Sequence, residues 1–178
     1  GKRIHIEHPS AIQSSLRLGC PMMDQSHPDF AASKVLTTVL GGYFGSRLMS
    51  NIREEKGYTY GISATIASYP FQGFLAIGTE TANEYVEPCI REVKHEMKRL
   101  QDERIPEQEL TMVKNYMMGE MCRSYEGPFS LSEAWIFIET AGLENDFFQT
   151  QAEKIRNVTT EELRDLAIKY FRPDDLLE

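Results

Sequence analysis

Five apolar residues, Val86, Ile90, Val93, Met97 and Leu100, recur at steps of four, three, four and three, while Glu92, Lys94, Glu96 and Lys98 are expected on wet faces. At about 3.6 residues per turn these steps put one apolar stripe along one side of a helix, which must be covered to be stable in water. Two to three heptads are short for a coiled-coil seam, so the cover that this stripe calls for is a sheet of the same chain. Pro88 fits such a helix only in its first turn, where the missing N–H has no intrahelical partner to lose.

The sheet is legible as well. Ile12, Leu16 and Leu18 alternate with Gln13, Ser15 and Arg17, as on a strand covered on one face. Residues 60–68 and 73–79 are rich in strand formers and flank a turn around Pro70, the pattern of an antiparallel hairpin. Strands are therefore predicted over 12–19, 60–68 and 73–79, and helices over 29–40, 46–56, 85–103, 106–122, 129–141, 146–156 and 160–170. Several helix starts carry a physical signal. Pro106 suits a first helical position with Glu107 and Glu109 facing the positive end of the dipole, and Thr159 with Glu162 three residues on forms a capping box. Runs of strands and helices in this order predict an α+β two-layer domain, with an antiparallel or mixed sheet and helices packed on one face. With 178 residues, 41% of them hydrophobic, one core suffices, so residues 1–178 are expected to form a single domain.

Charge and composition narrow the partners. The 27 acidic residues against 19 basic ones give a net charge of −8, which argues against nucleic acid and anionic membranes and suits basic peptides. No apolar run approaches the roughly 18 residues needed to span a bilayer, and the first residues lack a signal-peptide core, leaving the compartment open. Cys20, Cys89 and Cys122 are an odd number at wide spacing and are expected to be buried thiols. Of the four histidines, His5 and His8 stand with Glu7 near the terminus, where a metal site is not expected, and His95 diverges from Glu96 on a helix. No metal ligand set is assigned to the chain. Nucleophile elbows and phosphate loops are likewise missing, and Gly41–Gly45 lies between two helices, unlike a dinucleotide fingerprint.

The specific chemistry lies in Leu40–Ser63. Gly41, Gly42 and Gly45 are expected to end one helix, Ser46 to cap the next, and Gly57 to stop it before the strand that starts near Tyr60. Arg53 then sits in the last turn of a short helix and Tyr60 early in a strand, seven residues apart across one sharp turn. A reversal at Gly57 would let a guanidinium and a phenol face one point, an arrangement suited to a developing oxyanion. On spacing alone the plainer alternative is favoured: Arg53 as a solvated helix-end cation beside Glu54 and Glu55, with Tyr60 packed in a sheet.

The string Leu40-Gly41-Gly42, Ser46-Arg47-Leu48, Arg53-Glu54-x-Lys56-Gly57-x-x-Tyr60 resembles the signature of the insulinase-type (pitrilysin, M16) zinc peptidases, in their C-terminal, non-metal half. Gln13–Gly19 followed by Pro28-Asp29-Phe30 is similar to the strand and helix that open that half, so the resemblance covers nearly the whole chain. It implies the fold of one half of an insulinase-type (LuxS/MPP-like) metallohydrolase. It also implies that the partner is a zinc-bearing half with an inverted His-x-x-Glu-His motif, on the same or another chain, so that zinc would reside there and this chain would be a fragment of a longer protein. Arg53 and Tyr60 match the arginine and tyrosine that the non-metal half contributes to a peptide's carbonyl oxygen. Gly41, Gly42 and Gly45 resemble a short version of the glycine-rich loop that non-catalytic subunits of mitochondrial processing peptidases use near substrate. The family's final strand is expected to be lacking or disordered after Asp174.

Two functions follow. The leading one is the substrate-binding half of a zinc metalloendopeptidase, inactive alone and completed by the metal-bearing half. The alternative is a non-catalytic structural or assembly subunit of the same fold. Arg47, nearly two turns before Arg53, is expected to be solvated or structural.

Overall fold

Alternation along the strands sorts the sheet into a covered and an open face. A computed structural model of the protein describes residues 2–178. Strands β1 (Gln13–Met22), β2 (Thr59–Tyr69) and β3 (Gln72–Ala82) form an antiparallel sheet in the order β1-β3-β2. Leu18 pairs with Ile77 and Ala64 also pairs with Ile77, so the buried positions of all three strands fall on one side. That side carries Leu16, Leu18, Cys20, Met22, Ile62, Ala64, Leu75 and Ile77. The other side shows small or polar residues, among them Gly61, Ser63, Ala76, Gly78 and the ion pair Arg17–Glu80 at 2.7 Å.

Helices α1 (Phe30–Thr37), α2 (Val86–Asp102), α3 (Glu107–Ser124), α5 (Phe147–Asn157) and α6 (Thr160–Tyr170) build the second layer. The stripe of α2 is buried as its spacing demands, with Ile90, Val93, Met97 and Leu100 in the core beside Val35, Leu36 and Leu40 and beside Leu163 and Ala167 of α6. Pro88 lies in the first turn of α2, and the Thr159 hydroxyl accepts the Glu162 N–H at 3.1 Å, as the capping box requires. Helix α4 (Pro128–Ala141) differs. Only Ile138 of it is buried, and Phe129, Leu131, Trp135 and Ile136 face solvent although the helix is apolar nearly all round. Among the described residues no helix is long and apolar enough to cross a membrane.

Four expectations are corrected. Pro106 precedes α3 as its cap residue instead of opening it, and Cys122 is exposed, while Cys20 and Cys89 are buried with thiol pKa values pushed up by that burial. Ser46 makes no capping bond, because its hydroxyl is buried without a partner among the described residues. The chain's last residues are not lost from the sheet: Leu177 and Gly19 exchange backbone bonds at 3.0 and 2.8 Å, adding an antiparallel bridge at the edge of β1.

Asp29, just before α1, ties the two ends of the helical layer together. Its carboxylate accepts from Lys169 Nζ at 2.8 Å and from the Tyr170 hydroxyl at 2.7 Å, and these bonds hold its pKa below the usual aspartate range. A group depressed in the folded state adds stability above its unfolded pKa of about 4 and loses it as pH falls through the folded value. Acid titration of the melting temperature should therefore show a smaller drop below pH 4 for Asp29→Asn than for the parent, and superimposable curves would contradict the tie.

Candidate functional site

Residues 38–61 wrap the edge of the sheet at β2, and their geometry departs from an ordinary helix. After Thr37 the chain widens into a π-helical turn, Thr38–Gly42, in which Gly41 adopts φ −158 and ψ 16. A Cβ on Gly41 would stand 2.7 Å from both the backbone nitrogen and the Cβ of Ala64 in β2, so only glycine lets this turn approach the strand so closely. The chain then turns through Tyr43–Ser46, with the Ser46 N–H donating to the Tyr43 carbonyl at 3.1 Å, and enters a second π-helical segment, Met49–Glu55. Here the Lys56 N–H donates to the Asn51 carbonyl five residues back, at 3.1 Å. Single π turns of this kind are rare and cluster at functional sites. Gly57 takes the left-handed φ of 65 and reverses the chain, as its position predicts.

Polar contacts inside the helical layer hold the second π segment. Arg47 donates from Nε and Nη2 to the two carboxylate oxygens of Glu109 on α3, at 3.1 and 3.0 Å, and the pair is largely buried. Asn51 donates to Glu92 at 3.0 Å and to Glu96 at 2.7 Å. Glu96 is 1% exposed, a burial that its bonds to Asn51 and to Arg99 at 3.2 Å make tolerable. Of the two roles open to Arg47, solvated or structural, the geometry shows the structural one.

Arg53 faces the other way. Its guanidinium carbon lies 4.6 Å from the centroid of the Phe44 ring, and the nearest carboxylate, Glu54, stands at 3.7 Å, too far for a hydrogen bond. Tyr60 is 95% exposed, so it does not pack in the sheet. It falls in an irregularity of β2 where the pairing with β3 slips between Thr59 and Ile62. Thr59 anchors that bulge, its hydroxyl donating to the Glu80 carbonyl at 2.7 Å and accepting the Gly61 N–H at 3.2 Å. A bulge re-aims the side chain it carries, here a phenol into solvent.

Between these elements lies a hollow of about 380 Å³ lined by Gly41, Gly42, Phe44, Met49, Gly61 and Ser63. Through Gly61, Ser63 and Gly78 it continues into a trough of about 680 Å³ across the open face of the sheet. Gly41 and Gly42 thus share the hollow. Gly45 does not: it borders a charged groove with Arg47, Asn51 and Glu96 on the helical side, and a Cβ there would meet the Tyr43 ring at 2.9 Å. Sequence reasoning gives Phe44, Asn51 and Glu109 no place at the site, and it puts Glu96 on a wet face, whereas Glu96 is buried under its bonds to Asn51 and Arg99. An aromatic residue among the glycines of Gly41–Gly45 is the one sign that the sequence offers for Phe44.

Among the described residues no group of three His, Cys, Asp or Glu side chains is placed to hold a metal ion. His8 shares a hydrogen bond with Ser10 at 3.2 Å, and the His27 ring accepts the Asp29 N–H at 3.0 Å. These residues do not fit a catalytic zinc, which needs about three convergent protein ligands.

Comparison with known proteins gives the family and supports the fold. The family model described as the peptidase M16 inactive domain matches residues 1–117. The uncharacterized zinc protease YmxG of Bacillus subtilis is 30% identical over 114 residues, covering 64% of this chain and 28% of that protein. The protein named non-peptidase homolog YmxG of Helicobacter pylori is 28% identical over 153 residues, covering 83% of this chain and 34% of its own length. A crystal structure of a peptidase M16 inactive domain from Pseudomonas fluorescens superposes with a TM-score of 0.89 at 25% identity, over 99% of this chain and 42% of that one. The chain thus spans about a third of the length of the curated relatives that it matches.

Proposed function

The chain belongs to the M16 peptidase family, through the family's inactive domain, and on that premise we propose that it is the substrate-binding half of a zinc endopeptidase. The observation that carries this is the presentation of Arg53 and Tyr60: one guanidinium held on a ring with no carboxylate hydrogen-bonded to it, and one phenol aimed into solvent from a bulge. Phe44, on which Arg53 sits, and Gly61, next to Tyr60, line the same hollow, and a side chain at Gly61 would meet nothing within 4 Å, so a peptide backbone can come close there. A metal-bearing half, on the same or another chain, would supply the zinc that polarises the peptide carbonyl and provides the attacking water. This half would supply donors to the oxygen on which charge develops, with Gly41 and Gly42 beside the peptide. Gly45, which lies outside the hollow, would shape the turn instead of touching substrate.

Two further features support a two-part enzyme. The exposed apolar side chains of α4 leave a surface of the kind that partners cover, and the relatives are two to three times as long as this chain. Mixing the domain with a separately purified zinc half should raise peptide cleavage well above that of the zinc half alone. Elemental analysis of the domain by itself should find less than one zinc per ten chains after a chelator wash, and one tightly held zinc per chain would refute its assignment as the non-metal half. A scaffold role is the second reading, favoured by the name of the Helicobacter pylori relative, a non-peptidase homolog. Complex formation without any gain in cleavage would select it.

A further inference from the structure

We propose that Phe44 is the positioning residue of Arg53: its ring holds the guanidinium charge in place while leaving the N–H donors to the substrate. This rests on Arg53 acting as the donor to the carbonyl oxygen. Two arginines of one helical stretch are treated in opposite ways. Arg47 spends two donors on Glu109 and is fixed by them. Arg53 makes no hydrogen bond among the described residues: Glu54 stands back at 3.7 Å, close enough to attract the charge but not to occupy a donor, and the guanidinium sits 4.6 Å from the Phe44 centroid.

The difference matters chemically. A carboxylate that orients an arginine also occupies its donors and neutralises its charge, both of which a developing oxyanion would need. An aromatic face attracts the cation through its quadrupole and accepts no lone-pair hydrogen bond, so a long side chain is ordered with its donors still available. Phe44 is 63% exposed, which burial of a large apolar ring does not account for. It nevertheless stands on a constrained turn: Tyr43 packs on the Tyr116 ring at 5.4 Å between centroids, and Ser46 closes the turn onto the Tyr43 carbonyl. The backbone that presents the ring is therefore held. It also lines the hollow that Gly41 and Gly42 border, so it lies where the substrate backbone is proposed to run.

The test uses the assembled two-half enzyme and the variants Phe44→Leu, Phe44→Trp, Arg53→Ala and the Phe44→Leu/Arg53→Ala double. Phe44→Leu keeps bulk but removes the quadrupole and should lower kcat about 3- to 10-fold with KM little changed, whereas Phe44→Trp should match or exceed the parent. In the double variant Phe44→Leu should add nothing to the loss caused by Arg53→Ala, since it acts through that residue. Independent losses that multiply, or equal losses for Leu and Trp, would overturn the assignment. A costly Arg53→Ala beside a silent Phe44→Leu would defeat this inference alone, whereas a silent Arg53→Ala would defeat the oxyanion reading beneath it. A second readout needs no turnover: the Arg53 δ-proton resonances of the domain should lose their ring-current shift in Phe44→Leu and keep one in Phe44→Trp. Resonances unmoved in Phe44→Leu would show that the ring does not hold the guanidinium.

Discussion

Arg53→Ala is expected to lower kcat of the assembled peptidase about 10²-fold or more, roughly 3 kcal/mol of transition-state stabilisation, with zinc content and folding unchanged. Tyr60→Phe should cost a similar factor, because it removes one neutral donor and leaves the ring. The guanidinium brings a permanent charge and the phenol a hydroxyl, and both gain strength only as charge grows on the carbonyl oxygen, so kcat should fall more than KM rises. Arg104→Ala is the control for surface charge, since Arg104 is exposed and pairs with exposed Glu161. Arg47→Ala cannot serve, because it would strip Glu109 of a buried partner and disturb the π segment that carries Arg53. Equal kcat losses for Arg104→Ala and Arg53→Ala would reduce the effect to net charge. Steady-state kinetics of the parent and of Arg53→Ala, Tyr60→Phe and Arg104→Ala separates these outcomes.

The second large effect concerns the one-sided sheet. Leu75 and Phe74 are neighbours on the central strand β3, yet Leu75 is fully buried against the helices and Phe74 is 42% exposed on the open face. Leu75→Ala should destabilise the domain by about 3 kcal/mol, through lost transfer free energy and the cavity left behind. Phe74→Ala should cost about 1 kcal/mol or less, chiefly its stacking on Tyr69, whose ring centroid lies 6.1 Å away. Urea unfolding of the isolated domain measures both as shifts of the midpoint at constant slope. Similar costs at the two positions would mean that the open face is covered too.

The same alternation explains why the fold was legible beforehand. Strand and helix positions follow from apolar periods that burial enforces, and α6 begins and ends at the predicted residues 160 and 170 because Thr159 and Glu162 write its start chemically. The family model stops at residue 117, whereas the structural likeness to the Pseudomonas fluorescens domain runs over 99% of the chain, so the arrangement is shared beyond the stretch that the model matches.

What escaped prediction has a common cause. A π turn adds one residue to a helical turn without changing the residue types in it, and Gly41 is required by its contact with Ala64, a residue 23 positions away in sequence. Burial of Glu96, like the bridge from Leu177 to Gly19, depends on partners that no local pattern names. Exposure of α4 runs against its own composition, which alone would place it in a core. At the site, the spacing of Arg53 and Tyr60 is visible in the sequence, but the contact of Arg53 with the Phe44 ring shows only with the turn that places it.

The most direct measurement compares inhibition by a phosphinic peptide, a mimic of the tetrahedral transition state, with the KM of the matching substrate peptide, in the assembled enzyme and in Arg53→Ala. If this half supplies the oxyanion donor, Arg53→Ala should weaken the phosphinic peptide about 10²-fold while KM changes less than about threefold. Equal weakening of inhibitor and substrate would make Arg53 a general peptide-binding cation and contradict its role in the transition state.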